Sequence, residues 1–158
     1  MKKLLRISLV VFAVLAVALL VRLTMLGQGS KNGQAPGLIS GSLAACPDKP
    51  NCVCSEFVED AAHYIEPLDY SGDSSKEALG KLSQVIEDLG GEVVVSKDGY
   101  IAAIFRSSLF GFVDDVECRL DTSAEQIQIR SASREGHSDL GVNRNRAEAL
   151  TRAFKQKE

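Results

Sequence analysis

With 158 residues, 18 of them basic and 21 acidic, the chain has room for one domain of ordinary size and a formal net charge of −3. Five of the basic residues precede Asp48, the first acid, which leaves 13 basic against 21 acidic residues and a net of −8 for the remainder. An acidic body of this kind argues against nucleic acid or anionic lipid as its main partner.

Residues 1–26 account for the uneven charge. Lys2, Lys3 and Arg6 form a positive flank, and Ile7 to Val21 is apolar but for Ser8; after Arg22, Leu23 to Leu26 prolong the stretch. The clean run suits the apolar region of a signal peptide. With Arg22 snorkelling, about 20 residues suit a transmembrane span. No small-x-small cleavage site is well formed after Ala18, so an uncleaved anchor is the expectation. The positive flank puts the N-terminus in the cytoplasm and the body of the chain outside. Leu43-Ala44-Ala45-Cys46 looks like a lipoprotein processing box, but some twenty polar and Gly-rich residues separate it from the apolar run.

Residues 27–41 are rich in Gly, Ser, Gln and Asn, a composition that predicts a flexible tether. A single soluble domain is expected over 42–158. It opens on Cys46-Pro47-Asp48-Lys49-Pro50-Asn51-Cys52-Val53-Cys54. Two prolines and Asn51 let this loop fold back, and an oxidising exterior favours a Cys46–Cys52 disulfide. Cys54 would then be left for Cys118, stapling the loop to a strand. The rival is a zinc set of Cys46, Cys52, Cys54 and a His, irregular in spacing and without paired C-x2-C; free thiols are the third. No metal and no cofactor is expected.

His63 to Leu68 reads as an edge strand or extended segment ended by Pro67. Ser74 and Glu77 make a capping box; Ala78, Leu79, Leu82, Val85, Ile86 and Leu89 follow at helical spacing, and Gly90-Gly91 stops the helix. Glu92–Ser96 and Tyr100–Arg106 are strands around an Asp98-Gly99 hairpin turn. Residues 112–121 and 126–134 alternate as two more strands. A turn at Thr122–Glu125 sets Leu120 opposite Ile127, Glu117 opposite Arg130 and Asp114 opposite Ser133. The last helix runs from about Asn143 to Lys155, with Ala147, Leu150 and Phe154 inward. The fold class is therefore α+β: an antiparallel sheet of four to five strands, two helices on one face and an N-terminal membrane helix ahead of them.

Asp114 breaks the alternation, falling on the face of Phe112, Val116 and Cys118. A carboxylate there needs partners, for which Arg106, Arg144 or the amides of the 136–141 loop are available. It is either a structural acid pinning that loop or a perturbed acid in a site. Glu117–Arg130 and Asp115–Arg134 read as cross-strand pairs on a solvated face. An anion cradle of Arg130, Arg134, Arg144 and Arg146 is weakened by the carboxylates beside it. His137-Ser138-Asp139 holds the residue types of a catalytic triad, but such a triad is drawn from separated positions, and Asp139 or Asn143 is better placed as a helix cap. No G-x-S-x-G, H-E-x-x-H, P-loop or dinucleotide fingerprint occurs.

Four stretches carry a family resemblance: Cys46-Pro47-x-x-Pro50-Asn51-Cys52-Val53; His63-Tyr64-Ile65-x-Pro67-Leu68; Arg106-Ser107-x-Leu109-Phe110-Gly111-Phe112-Val113-Asp114-Asp115-Val116-Glu117; and Ile129-Arg130-Ser131-Ala132-Ser133-Arg134-x-Gly136-x-Ser138-Asp139-Leu140-Gly141-Val142-Asn143-Arg144. In these the chain resembles the bacterial and plastid family catalogued as domain of unknown function 1499, from about residue 46 onward. The resemblance implies an envelope-associated protein and no particular activity. Cys54 stands where the family motif usually has Ser, and Cys118 where an aromatic residue is common; two cysteines in those places favour a Cys54–Cys118 bridge.

These features predict a non-catalytic binding or scaffold module, tethered to the bacterial inner membrane and facing the periplasm, or secreted if the N-terminal segment is cleaved. An unknown protein or a small apolar ligand would be held by the sheet and the loop, through Asp114, Arg130, Arg134, His137, Asp139, Asn143 and Arg144. The alternatives are an envelope enzyme with an acid/His/Arg site around Asp114 and His137, and a redox role for Cys52 and Cys54, whose C-x-C spacing is strained as a disulfide.

Overall fold

The computed structural model describes residues 2–157. In chain order its elements are α1 (Lys2–Ser30), β1 (Leu38–Ile39), β2 (Ser42–Leu43), β3 (Cys52–Cys54), β4 (Leu68–Asp69), α2 (Ser75–Asp88), β5 (Glu92–Lys97), β6 (Tyr100–Arg106), β7 (Val113–Asp121), β8 (Gln126–Ser133) and α3 (Val142–Gln156). β1 and β2 pair only with each other. The remaining six strands form one antiparallel sheet in the order β3-β8-β7-β6-β5, with β4 sharing the outer edge of β8 with β3. The α+β class holds, with six strands in the main sheet. β3 and β4 are three- and two-residue segments, too short to show an alternation, and most of the expected His63–Leu68 strand is irregular.

Local chemistry sets each element. Ser74 accepts from the Glu77 amide and Glu77 reaches back to the Ser74 backbone, so both halves of the capping box close. Asp98 and Gly99 both take positive φ between β5 and β6, as a tight two-residue hairpin turn requires. The β7–β8 register is the one read from the alternation. Leu82 and Ile86 of α2 and Leu150 and Phe154 of α3 pack on Ile101, Val116, Ile127 and Ile129, all buried. Each such side chain contributes about 1.5–3 kcal/mol of transfer free energy. Gly91 lets the chain turn close under this layer, where a Cβ would overlap the Phe105 ring.

The opposite face of the sheet is also covered, which corrects the expectation of a flexible tether. Residues 27–45 lie across it: Leu43 is 1% exposed, Ala44 is buried, and β2 packs on β7 and β8. Three polar contacts fix the path. The Val113 amide donates to Ser30 Oγ (3.0 Å), Arg134 Nη1 donates to the Ser30 carbonyl (3.1 Å), and the Gly37 amide donates to Glu117 Oε1 (2.9 Å). A segment poor in apolar residues is thus ordered through its backbone, by partners some eighty or more positions away.

α1 is long and apolar enough to cross a membrane, and none of its apolar window is buried against the rest of the chain. Only its last turns meet the domain. Leu23 and Leu26 are half-buried, and Gly27 and Ser30 are buried, all on one stripe.

Candidate functional site

The residues singled out from the sequence divide between the covered sheet face, the N-terminus of α3 and an open cleft. On the covered face, Glu117 is fully buried. Its carboxylate accepts from Arg130 Nη1 (3.0 Å), Tyr100 Oη (2.7 Å) and the Gly37 amide. One position along, Asp115 takes a two-pronged contact from Arg134, at 2.7 and 2.8 Å. The pairings match expectation, but the solvated face does not. Arg130, Glu117, Asp115 and Arg134 side chains are 8%, 0%, 6% and 12% exposed, because residues 27–45 exclude water from them. Burial, then the Glu117 carboxylate, raises the Tyr100 pKa, and the Asp115 hydrogen bond raises that of Arg134. Among the described residues, Arg130 Nε is the one buried side-chain polar atom without a hydrogen-bond partner.

Asp114, on the helix face, is held by Arg146 (2.7 Å) and not by Arg106 or Arg144. Arg106 projects from the opposite face at the end of β6, where it pairs with Glu92. Arg146 lies over the Phe105 ring and also reaches Asn143 Oδ1 (2.7 Å) and Ser131 Oγ. Asn143, 1% exposed, is the hub of this end: Oδ1 accepts from Ser131 and Arg146, and Nδ2 faces the Asn51 carbonyl, Ser133 Oγ and Asp139 Oδ2. It ties the disulfide loop, β8 and α3 together. Asp139 accepts from the Gly141 and Asn143 amides at 3.0 and 2.7 Å, but the N-cap position is the left-handed Gly141, without a side-chain cap, and Asn143 lies inside the helix, which corrects the expectation of Asp139 or Asn143 as the cap. Arg144 bonds two backbone carbonyls, Tyr64 and Ala62, and no carboxylate.

Cys46 and Cys52 form the expected disulfide. The Cys54–Cys118 bridge is not formed; both are buried free thiols. The sheet itself separates them. Cys54 pairs with Arg130, on the face under residues 27–45, whereas Cys118 pairs with Ile129 on the helix face, with β8 between their strands. Burial raises both thiol pKa values, that of Cys118 to about 12. Cys52, bonded to Cys46, has no redox partner in Cys54.

The main open cavity is a cleft of about 520 Å³ between the disulfide loop and the start of α3. Its lining includes Lys49, Cys52, His63, His137, Asp139 and Arg144. His63 is fixed by Asp60 (2.7 Å) and the Lys49 carbonyl (3.0 Å). His137 is exposed, and Leu140, between two lining residues, is 93% exposed with a positive φ. Asp114, expected to share a site with His137, is not part of this lining. Helices cover most of one sheet face and residues 27–45 lie across the other, while the edge strand β5 leaves Val94 and Val95 exposed. Among the described residues no three His, Cys, Asp or Glu side chains converge as metal ligands. Asn51, Tyr100, Ser131 and Arg146, which the sequence did not single out as a group, complete the networks; Asn51 and Ser131 lie in the long motifs, Arg146 entered only as a member of the anion cradle, and Tyr100 only as the first residue of a strand.

An α+β domain with an exposed apolar N-terminal helix and a disulfide-closed loop belongs with membrane-anchored or secreted proteins. Residues 42–154 match the model described as "Protein of unknown function (DUF1499)", and the chain is a member of that family. No curated protein and no solved structure matches it.

Proposed function

We propose that the protein is a membrane-tethered, non-catalytic binding module whose domain faces the periplasm or exterior, and that the cleft beside the disulfide loop receives its ligand. The observation that carries this is a division of roles between the structural charges and the cleft. Away from the cleft Arg130, Arg134 and Arg146 are each paired with a carboxylate; in its lining Arg144 holds two carbonyls and Asp139 accepts from the Gly141 and Asn143 amides. These groups hold loops in place, while His137 and the strained, exposed Leu140 stand free at the rim. A cleft lined by Pro50, Val53 and Ala62 beside Asp48, Lys49 and His137 suits a small, partly apolar molecule or a peptide segment. The positive flank of Lys2, Lys3 and Arg6 supports the outward orientation, as does a disulfide.

Native mass spectrometry of the full chain, released from a non-reducing preparation in detergent, tests the binding role. Excess mass, reduced in Leu140→Ala and His137→Ala variants, is expected. A bare polypeptide mass in wild type, or excess mass indifferent to both substitutions, would overturn the assignment of the cleft. For the tether, flotation with lipid after alkaline extraction is expected, and recovery in the soluble fraction would refute it.

A further inference from the structure

We propose that the loop between β6 and β7 (residues 107–112) is a second membrane contact, dipping its apolar tip into the lipid beside α1. This rests on the tether proposed above and adds to it a fixed orientation of the domain on the bilayer. The loop presents Leu109, 80% exposed, with Phe110 and Phe112 half-exposed at either side of Gly111, their rings edge to face. Its direction follows from two contacts with α1 and one with Lys31, the residue just after it. The Val113 amide bonds Ser30 Oγ, the Lys31 side chain lies beside Gly111, and Phe110 meets Gly27 so closely that a Cβ there would overlap the Phe110 carbonyl. Going back along the loop from Val113 to Phe110 therefore moves down the helix from Ser30 to Gly27, towards its apolar part. The turn is closed by the Gly111 amide on the Ser107 carbonyl and the Ser107 amide on the Phe112 carbonyl, which leaves residues 108–110 at the tip.

Depth decides what the tip touches. The stretch Ile7–Leu26 rises roughly 30 Å, matching a hydrocarbon core of about 30 Å. Gly27 follows at once, with no spacer. If instead Arg22 marks the end of the core, Gly27 is five residues on, about 7.5 Å further, at the outer limit of a headgroup layer about 5–7.5 Å thick. Either way Phe110 lies at the lipid interface, and Leu109 projects from that level. Exposed leucine and phenylalanine at this depth gain by burial in the acyl boundary. The occupant is lipid, because the patch is continuous with the spanning helix and carries no acidic side chain from residue 106 to 113.

The chain has no tryptophan, so a single one is a clean reporter. Full-length Leu109→Trp would be reconstituted in phosphatidylcholine vesicles with brominated acyl chains and compared with Val58→Trp. Val58 is exposed near Arg119 and Gln128, towards the other end of the sheet. The tip reporter is expected to emit at shorter wavelength and be quenched by the bromines, and the control is expected to show neither. Flotation of both variants with a water-exposed, unquenched indole in Leu109→Trp would overturn the loop contact and leave the tether standing. Failure of the wild-type chain to float would overturn both.

Discussion

Replacing Glu117 by alanine is the sharpest test of whether residues 27–45 seal the sheet. The substitution strands the Arg130 guanidinium in a site where its side chain is 8% exposed, and it removes the acceptor for Tyr100 Oη and the Gly37 amide. Removing one partner of a buried pair costs about 3–5 kcal/mol, which for a domain of this size is roughly 10–20 °C in Tm. Glu92→Ala removes a pair of equally short reach, Arg106 to Glu92 at 2.6 Å, but both side chains are at least half exposed, so about 0–1 kcal/mol is expected. Thermal and urea unfolding in detergent, followed by circular dichroism, would give both numbers. Adding Arg130→Met to Glu117→Ala removes the stranded cation, and the double variant is expected to be more stable than Glu117→Ala alone. If Glu117→Ala and Glu92→Ala cost the same, the face is wet and residues 27–41 are a tether after all.

Three further outcomes follow from the same contacts. Titration of thiols should find none reactive in the native chain and two after denaturation without reductant, with a mass lower by one disulfide's hydrogens; a pair of missing thiols would restore the Cys54–Cys118 bridge. Alkali should destabilise the fold in steps, because the Cys118 and Tyr100 pKa values are raised by folding. Their contribution is complete below the unfolded values, about 9 and 10, and is lost as pH rises towards the folded ones. Cys118→Ala should flatten the stability curve between about pH 9 and 12, and Tyr100→Phe should flatten it above pH 10; unchanged curves would contradict the burial of these groups. Asn143→Ala should cost about 2–4 kcal/mol, since Arg146, Ser131 and the Asn51 carbonyl lose a shared partner. Faster hydrogen exchange concentrated at residues 46–52 and 131–146 would report it, and a uniform change would not.

How much of this was legible beforehand depended on whether the signal was local. The β7–β8 register, the capping box of α2, the Asp98-Gly99 turn and the Glu117–Arg130 and Asp115–Arg134 pairings all follow from alternation, spacing or turn chemistry within a few residues. The environment of those pairs was not legible, because it is set by Ser30 and Gly37, some eighty or more positions away. Nothing in a Gly- and Gln-rich run marks it as a cover: its polar contribution is one backbone amide, one carbonyl and one serine hydroxyl, groups that most sequences carry. The Cys54–Cys118 expectation failed for a related reason. Matching one cysteine left over with another ignored which face each strand position presents, and a parity check against Arg130 and Ile129 excludes the bridge. Asp114 was recognised as needing a partner, but Arg106, which projects from the other face, and Arg144 were considered where Arg146, one helical turn beyond Asn143, reaches it.

The cover also bears on where the folding unit begins. The family match starts at residue 42 and so includes β2 but omits Ser30 to Gly41. A chain cut at 42 would keep Leu43 yet lose the Gly37 amide on Glu117 and the Ser30 contacts to Val113 and Arg134, which opens both buried ion pairs to water at one side. Partial hydration relieves the charges, so the cut should not unfold the domain; it should lower Tm and convert Glu117→Ala into a mild substitution. A chain cut at 27 keeps the polar contacts of the cover and loses α1 up to Leu26, including the half-buried Leu23 and Leu26. The comparison is therefore between two soluble forms, 27–158 and 42–158, each with and without Glu117→Ala. A Glu117→Ala penalty of several kcal/mol in the longer form, falling to about 1 kcal/mol or less in the shorter one, assigns the desolvation to residues 27–41. Equal penalties in the two would mean that β2 alone dries the face, and that the segment joining helix to domain contributes position but not stability.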